Sequence, residues 1–534
     1  MPSWLLWILF IVAVVVGFQV LRRLRRAVGR QHRYGRSDPW GGWARPALFL
    51  AVWWLWMPVV AGIVWLFVHL VTPGIGTWKQ GFDLTFKTLL WPRGSFTGFT
   101  ALFWIWFAIG LIGTIVIVFS AGPDRPGAAT TALSAACAGG LVLCLVMAWI
   151  GLWDNDKDQA RYYSQGTVLH IPSTSPAPSS VRVLVDKADS GSGACDLAGA
   201  ADVTSCVSVG PLPTLGWSPR TAAYEAAGTV MNASGALTSR VDLIKDTITY
   251  LPGAEPGTGL WTGILDGSGW QQPTEGVVSW DGRSNTATVC HFGDKGDEFD
   301  RAFAGTRGNS LTNLLADRYP QLVYDLDDGW GECTVDGPRI VLPVERVLGW
   351  RSRSVLAPAG VLVLTGSTDG RPHVVYHPRV DAAEFAGPVY PESLVKQQIT
   401  ATQWLSGRGD KNRYQFGYKH STVDTNAANP GEYLMRSTVD NGLYYVSPLT
   451  PRGSQSQAIV AYAVIRADRT GPTLNPLDVY VLGDDDPGVT NLNTLASTMQ
   501  AYINSVDPGL LSTGSGGSLK EIIPLGDGRW RGFL

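Results

Sequence analysis

The 534-residue chain is poor in the groups that usually carry chemistry: 7 His, 6 Cys and 6 Met. No GxSxG and no HExxH occurs, so neither a serine-hydrolase elbow nor a zinc-protease helix is encoded. No CxxC or HxxxH spacing accompanies the cysteines, which argues against zinc. Charge is scarce too, at 16% of residues and a net −2, and one basic stretch aside nothing resembles a nucleic-acid patch. Four segments lack Asp, Glu, Lys and Arg altogether: Trp4–Leu21, Pro46–Val71, Gly98–Ser120 and Thr131–Trp153.

A bilayer-crossing helix needs about 20 mostly apolar residues, so these four segments predict a four-helix transmembrane region over 1–153. Between the first two lie Arg22, Arg23, Arg25, Arg26, Arg30, Arg33, Arg36 and Arg45. Basic loops stay cytoplasmic, so these arginines set an expected topology: N-terminus outside, four passes through the plasma membrane, everything after Trp153 extracytoplasmic. A signal peptide fits less well, because the basic cluster follows the apolar run. The arginines also suit anionic lipid, making membrane lipid the first expected partner. Trp78, Phe82, Phe86 and Leu90 predict an amphipathic interfacial helix in the loop 72–97. The spans hold no ionisable group of the kind that ion-coupled transporters keep near the midplane, so a transporter subunit is the weaker alternative.

Residues 154–180 are expected to be a helix extension and linker, ending in the Ser-, Pro- and Ala-rich stretch 173–180. Short apolar runs separated by glycines predict a β-rich segment over 181–296, with strands at Val181–Val185, Ile244–Leu251, Gly276–Trp280 and Thr286–Phe292. Asp297–Tyr319 reads as helical, carrying Phe299, Phe303, Leu311, Leu314 and Leu315. Two further modules follow, over 297–406 and 407–534. Each is expected to be an α+β unit, an antiparallel meander closed by a helix, and the two read as an internal repeat.

The first copy runs through a turn at Val335-Asp336-Gly337, strands at Arg339–Val344, Gly360–Thr365 and His373–His377, and a helix at Pro391–Leu405. The second runs through Val439-Asp440-Asn441-Gly442, strands at Leu443–Leu449, Ala458–Arg466 and Asp478–Leu482, and a helix at Asn491–Val506. One or two strands are expected in Lys520–Leu534. The helix, the curved meander and the turn Arg466-Ala467-Asp468-Arg469-Thr470-Gly471 resemble PepSY-type or cystatin-like α+β modules over Asp297–Leu534. That resemblance implies binding or regulation of other proteins in bacterial extracytoplasmic regions, and no shared catalytic residues.

Cys137 and Cys144 lie inside the fourth apolar segment, as buried thiols. Cys195, Cys206, Cys290 and Cys333 allow three pairings, of which proximity favours Cys195–Cys206 and Cys290–Cys333. Asp325, Asp327 and Asp328 before Gly329, and Asp484–Asp486, have calcium-loop composition without the calcium-loop spacing, and read as acidic turns. Asp327 and Glu332 form an acid–base pair on paper, the basis for a second alternative, an envelope hydrolase. His373 and His377 are too far apart along a strand to share a metal, about 13 Å. The sequence thus leads to no catalytic residue, no metal and no cofactor. It leads to a non-enzymatic binding or scaffolding region in a cell-envelope assembly, with a protein partner or a second copy of the chain as its companion.

Overall fold

A computed structural model describes residues 162–163, 166–172, 207–209, 213–233, 241–268, 272–303, 309–319, 321–348, 355–382, 384–405, 417–421, 433–452, 458–483, 491–510, 519 and 521–533. The described part belongs to one compact unit spanning 153–534.

Along the chain come β1 (Thr167–Ile171) and β2 (Val207–Val209), then α1 (Tyr224–Ala233). Strands β3 (Val241–Leu243), β4 (Thr249–Pro252), β5 (Gly259–Gly267), β6 (Thr274–Trp280) and β7 (Thr288–His291) follow. Next are α2 (Leu311–Arg318), β8 (Leu322–Val323), β9 (Trp330–Thr334), β10 (Gly337–Val347), β11 (Leu356–Thr365) and β12 (His373–His377). Then come α3 (Glu392–Ala401), β13 (Tyr418–His420), β14 (Tyr433–Arg436), β15 (Leu443–Pro451), β16 (Ala461–Arg466) and β17 (Leu477–Val481). The last elements are α4 (Leu492–Val506), β18 (Ile522–Gly526) and β19 (Arg529–Gly532).

These strands repeat one topology three times. In each copy a long strand, β5, β10 or β15, takes two short partners in succession along one edge: β4 then β3, β9 then β8, β14 then β13. Its other edge pairs with β6, β11 or β16, which pairs in turn with β7, β12 or β17, all antiparallel. The third sheet is extended by β1, parallel to β17, and by β2, parallel to β1.

Each helix packs on the sheet that follows it. Ala227 and Met231 of α1 join Leu243, Trp261, Leu265 and Val278. Leu311 and Leu315 of α2 join Ile340, Leu342, Leu362 and Leu364. Leu394, Val395 and Ile399 of α3 join Leu443, Tyr445, Ala463 and Val479. An antiparallel sheet with one apolar face buries it this way at little cost in backbone hydrogen bonds. The opposite face of the third sheet is covered by Trp217 and by Ile523 of β18.

The expected fold class is corrected in three respects. The described residues are mostly β-sheet, with short helices. No helix among them is long and apolar enough to cross a membrane; the longest, α4, has 15 residues and reaches about 22 Å against a hydrocarbon core of about 30 Å. The four-helix transmembrane region, the multi-pass plasma-membrane placement and the extracytoplasmic assignment of the C-terminal region that followed from it are therefore not supported by the described residues. The four apolar segments, the interfacial helix, the eight arginines and the strand at Val181–Val185 fall outside the described residues.

The module boundary is the second correction. The unit is a helix followed by five strands, not a meander closed by a helix, because the apolar stripe of α3 is buried in the third core. It recurs three times rather than twice, the first copy lying in the β-rich segment 181–296. Third, the helix expected over Asp297–Tyr319 is confined to Leu311–Arg318. Glu298 instead bridges Ser367 in extended backbone, and Phe299 and Phe303 are buried without a helix.

Candidate functional site

The three modules meet where charged side chains are paired inside the fold. The first and second are joined by the Cys290–Cys333 disulfide, from β7 to β9, with Cα atoms 5.9 Å apart. This is the pairing favoured by proximity; Cys195 and Cys206 lie outside the described residues. The first module is joined to the segment entering β18 by Arg220, whose guanidinium binds the buried Glu521. Arg220 also lies 5.8, 5.5 and 5.7 Å from the ring centroids of Tyr250, Trp261 and Tyr433. Glu521 accepts the Tyr224 N–H, 3.2 Å away, at the start of α1. Burial pushes the Glu521 carboxyl up, and Arg220 pulls it back.

The second and third modules meet at a group of carboxyls. Leu326–Asp328 is a 3-10 turn opened by Asp325, whose side chain accepts the Asp327 N–H at 3.3 Å. Asp328 Oδ2 lies 2.7 Å from the Ser393 hydroxyl, and Asp328 Oδ1 accepts the Ser393 N–H at 3.4 Å. Ser393 is in the first turn of α3, where Pro391 supplies no side-chain cap, so Asp328 takes that part from the neighbouring module. The same hydroxyl lies 2.9 Å from Oε1 of Glu345, on β10.

Glu345 is 3% exposed. Burial pushes its carboxyl up to about 7, partly offset by the Ser393 hydrogen bond. Asp328 is raised well above the carboxylate range by burial and then by Glu392 and Asp325. Asp327 is pushed up to about 6 by burial and the neighbouring Asp325 charge, and Asp325 itself is raised by burial.

The remaining expected sites are placed as follows. Asp327 sits among these carboxyls, while Glu332 is held by Arg339 across the β9–β10 hairpin. The hypothetical acid–base pair therefore has one member committed to an ion pair. Asp325–Asp328 forms the 3-10 turn described above, and no group of three or more His, Cys, Asp or Glu among the described residues is arranged to hold a metal. Asp484–Asp486 lies outside them. His377 Nδ1 faces Glu384 at 3.6 Å, and His373 is exposed on the same strand. The turn at Arg466–Gly471 is an ion-pair node. Arg466 binds Asp468 at 2.7 Å and Asp440 at 3.1 Å, and Asp468 accepts the Leu443 N–H at 3.1 Å.

Sequence reasoning missed Glu345, Ser393, Arg220 and Glu521. Glu345 did leave a signal: it is a carboxylate that directly follows the apolar strand run Ile340–Val344 and precedes Arg346. The others left none, since Arg220 and Glu521 are far apart in the chain and Ser393 resembles any serine in a helix's first turn.

The arrangement offers internally matched charges, carboxyls raised by burial, and two exposed valines, Val335 and Val439, at equivalent hairpin tips. Comparisons of the chain with family models, curated proteins and solved structures return no match.

Proposed function

We propose that this chain is a non-enzymatic binding or scaffolding protein that works as a subunit of a larger assembly. The observation that carries the reading is the threefold recurrence of one helix-and-five-strand unit. Recurrent units build broad recognition surfaces without a dedicated catalytic cleft. Two features support it. Charged side chains are spent on one another, between distant segments in Arg220–Glu521 and within single modules in Glu332–Arg339 and Arg466–Asp468. The tips of the β9–β10 and β14–β15 hairpins present Val335 and Val439, 88% and 72% exposed, at equivalent positions of two copies. The resemblance of residues 297–534 to PepSY-type or cystatin-like modules points the same way.

The purified chain is expected to leave cell-wall glycan and peptide substrates intact over hours of incubation. Turnover that disappears in both Asp327→Asn and Glu332→Gln would instead make the protein a hydrolase.

A further inference from the structure

Ser393 carries one hydroxyl proton and has two carboxyl oxygens within hydrogen-bond distance, Asp328 Oδ2 at 2.7 Å and Glu345 Oε1 at 2.9 Å. A hydroxyl donates to one acceptor at a time and accepts through its lone pairs. Both contacts are therefore hydrogen bonds only when one carboxyl is itself protonated and donates to the Ser393 oxygen. With both carboxyls ionised, one contact is lost and two like charges face a single hydroxyl. Asp328 and Glu345 belong to the second module, whereas Ser393 begins α3, the helix buried in the third core.

We propose that Asp328, Ser393 and Glu345 form a proton-dependent latch between the second and third modules, fastening the start of α3 while one carboxyl is protonated and loosening it when both ionise.

The surroundings favour the protonated state. Asp325 and Asp327 face the pair from the 3-10 turn, and Glu392 faces it from α3. Asp246 approaches Asp327 from the first module. The phenols of Tyr163 and Tyr390 lie near Glu345. Lys396 is the cation acting on this group, and it is paired with Glu392. Burial and excess negative charge raise Glu345 to about 7, with Asp328 raised as well. A carboxyl whose folded pKa is raised contributes stability that is complete below its unfolded value, 4.5 for Glu345, and is lost as pH climbs through about 7. Because both carboxyls must ionise, the latch opens only as the second of the two raised groups loses its proton, in alkaline solution.

Hydrogen exchange of the α3 amides in the full-length chain, corrected for the intrinsic pH dependence, tests this. Protection is expected to fall at least tenfold between pH 5 and pH 9 in the wild type. Glu345→Gln and Asp328→Asn each replace a titrating group with a permanent donor, and either should flatten the profile. Ser393→Ala should lower protection at every pH. Wild-type protection that is constant from pH 5 to 9, or a fall of the same size in both amide variants, would overturn the proposal. If neither variant folds, the wild-type profile decides.

Discussion

At the residue scale, the informative positions are charged groups out of water. Breaking a buried pair by removing one partner leaves an uncompensated charge, at about 3–5 kcal/mol. Arg220→Met, which strands Glu521 and empties the space between Tyr250, Trp261 and Tyr433, is expected to cost that much in urea denaturation. The double variant Arg220→Met/Glu521→Leu should recover most of the loss. Glu345 predicts a pH effect of its own. Its rise from 4.5 to about 7 corresponds to about 3 kcal/mol that folding loses across that interval. In denaturation at pH 5 and pH 8, Glu345→Gln should be the less pH-sensitive protein by roughly that amount. Such residues were legible only where a charge directly follows an apolar run, as Glu345 does. The partnership of Arg220 with Glu521 depends on the chain's return near its end, and local pattern holds no trace of that.

At the element scale, the strands with clear alternation were readable. Residues His373–His377 bound β12, and the turns at Val335–Gly337 and Val439–Gly442 close the β9–β10 and β14–β15 hairpins. Asn441 adopts φ +57°, which a short Asn-Gly turn provides. Strand β5 was missed because Gly259, Gly263 and Gly267 punctuate it and most of its residues are buried, so period-two alternation is absent. The ownership of α3 was misread for a related reason: its apolar stripe says that it packs, but not on which of the two sheets flanking it in sequence.

Two predictions belong to this scale. The Cys290–Cys333 bond closes a loop of 43 residues, worth about 4 kcal/mol by chain entropy. Replacing both cysteines by serine should lower the thermal midpoint and leave far-UV dichroism unchanged below it. Gly360 sits at φ +102°, and a Cβ there would lie 1.9 Å from the His377 carbonyl oxygen. Gly360→Ala should therefore cost about 1–3 kcal/mol in strain alone and expose the amides of the β11–β12 pair to exchange.

At the scale of the whole molecule, the decisive feature is recurrence. Two of the three copies advertise themselves through related turns, Thr334-Val335-Asp336-Gly337 and Thr438-Val439-Asp440-Asn441-Gly442. In the first copy Gly253–Thr258 joins β4 to β5 with unrelated chemistry, so only the strand order reveals the kinship. The helix α4 opens the same pattern a fourth time and is followed, among the described residues, by the β18–β19 hairpin. The expectation of a four-span membrane protein rested on apolar length and arginine placement, neither of which is found in the described residues. What persists from the sequence is the scarcity of catalytic motifs.

The central claim, that this repeat protein binds another protein, is tested most directly by crosslinking a tagged full-length copy in living cells and identifying the attached peptides by mass spectrometry. The account predicts a stoichiometric protein partner, with crosslinks weakened by Val335→Lys/Val439→Lys at unchanged thermal midpoint. Recovery of the chain alone, with no crosslink to another protein or to a second copy of itself, would contradict it.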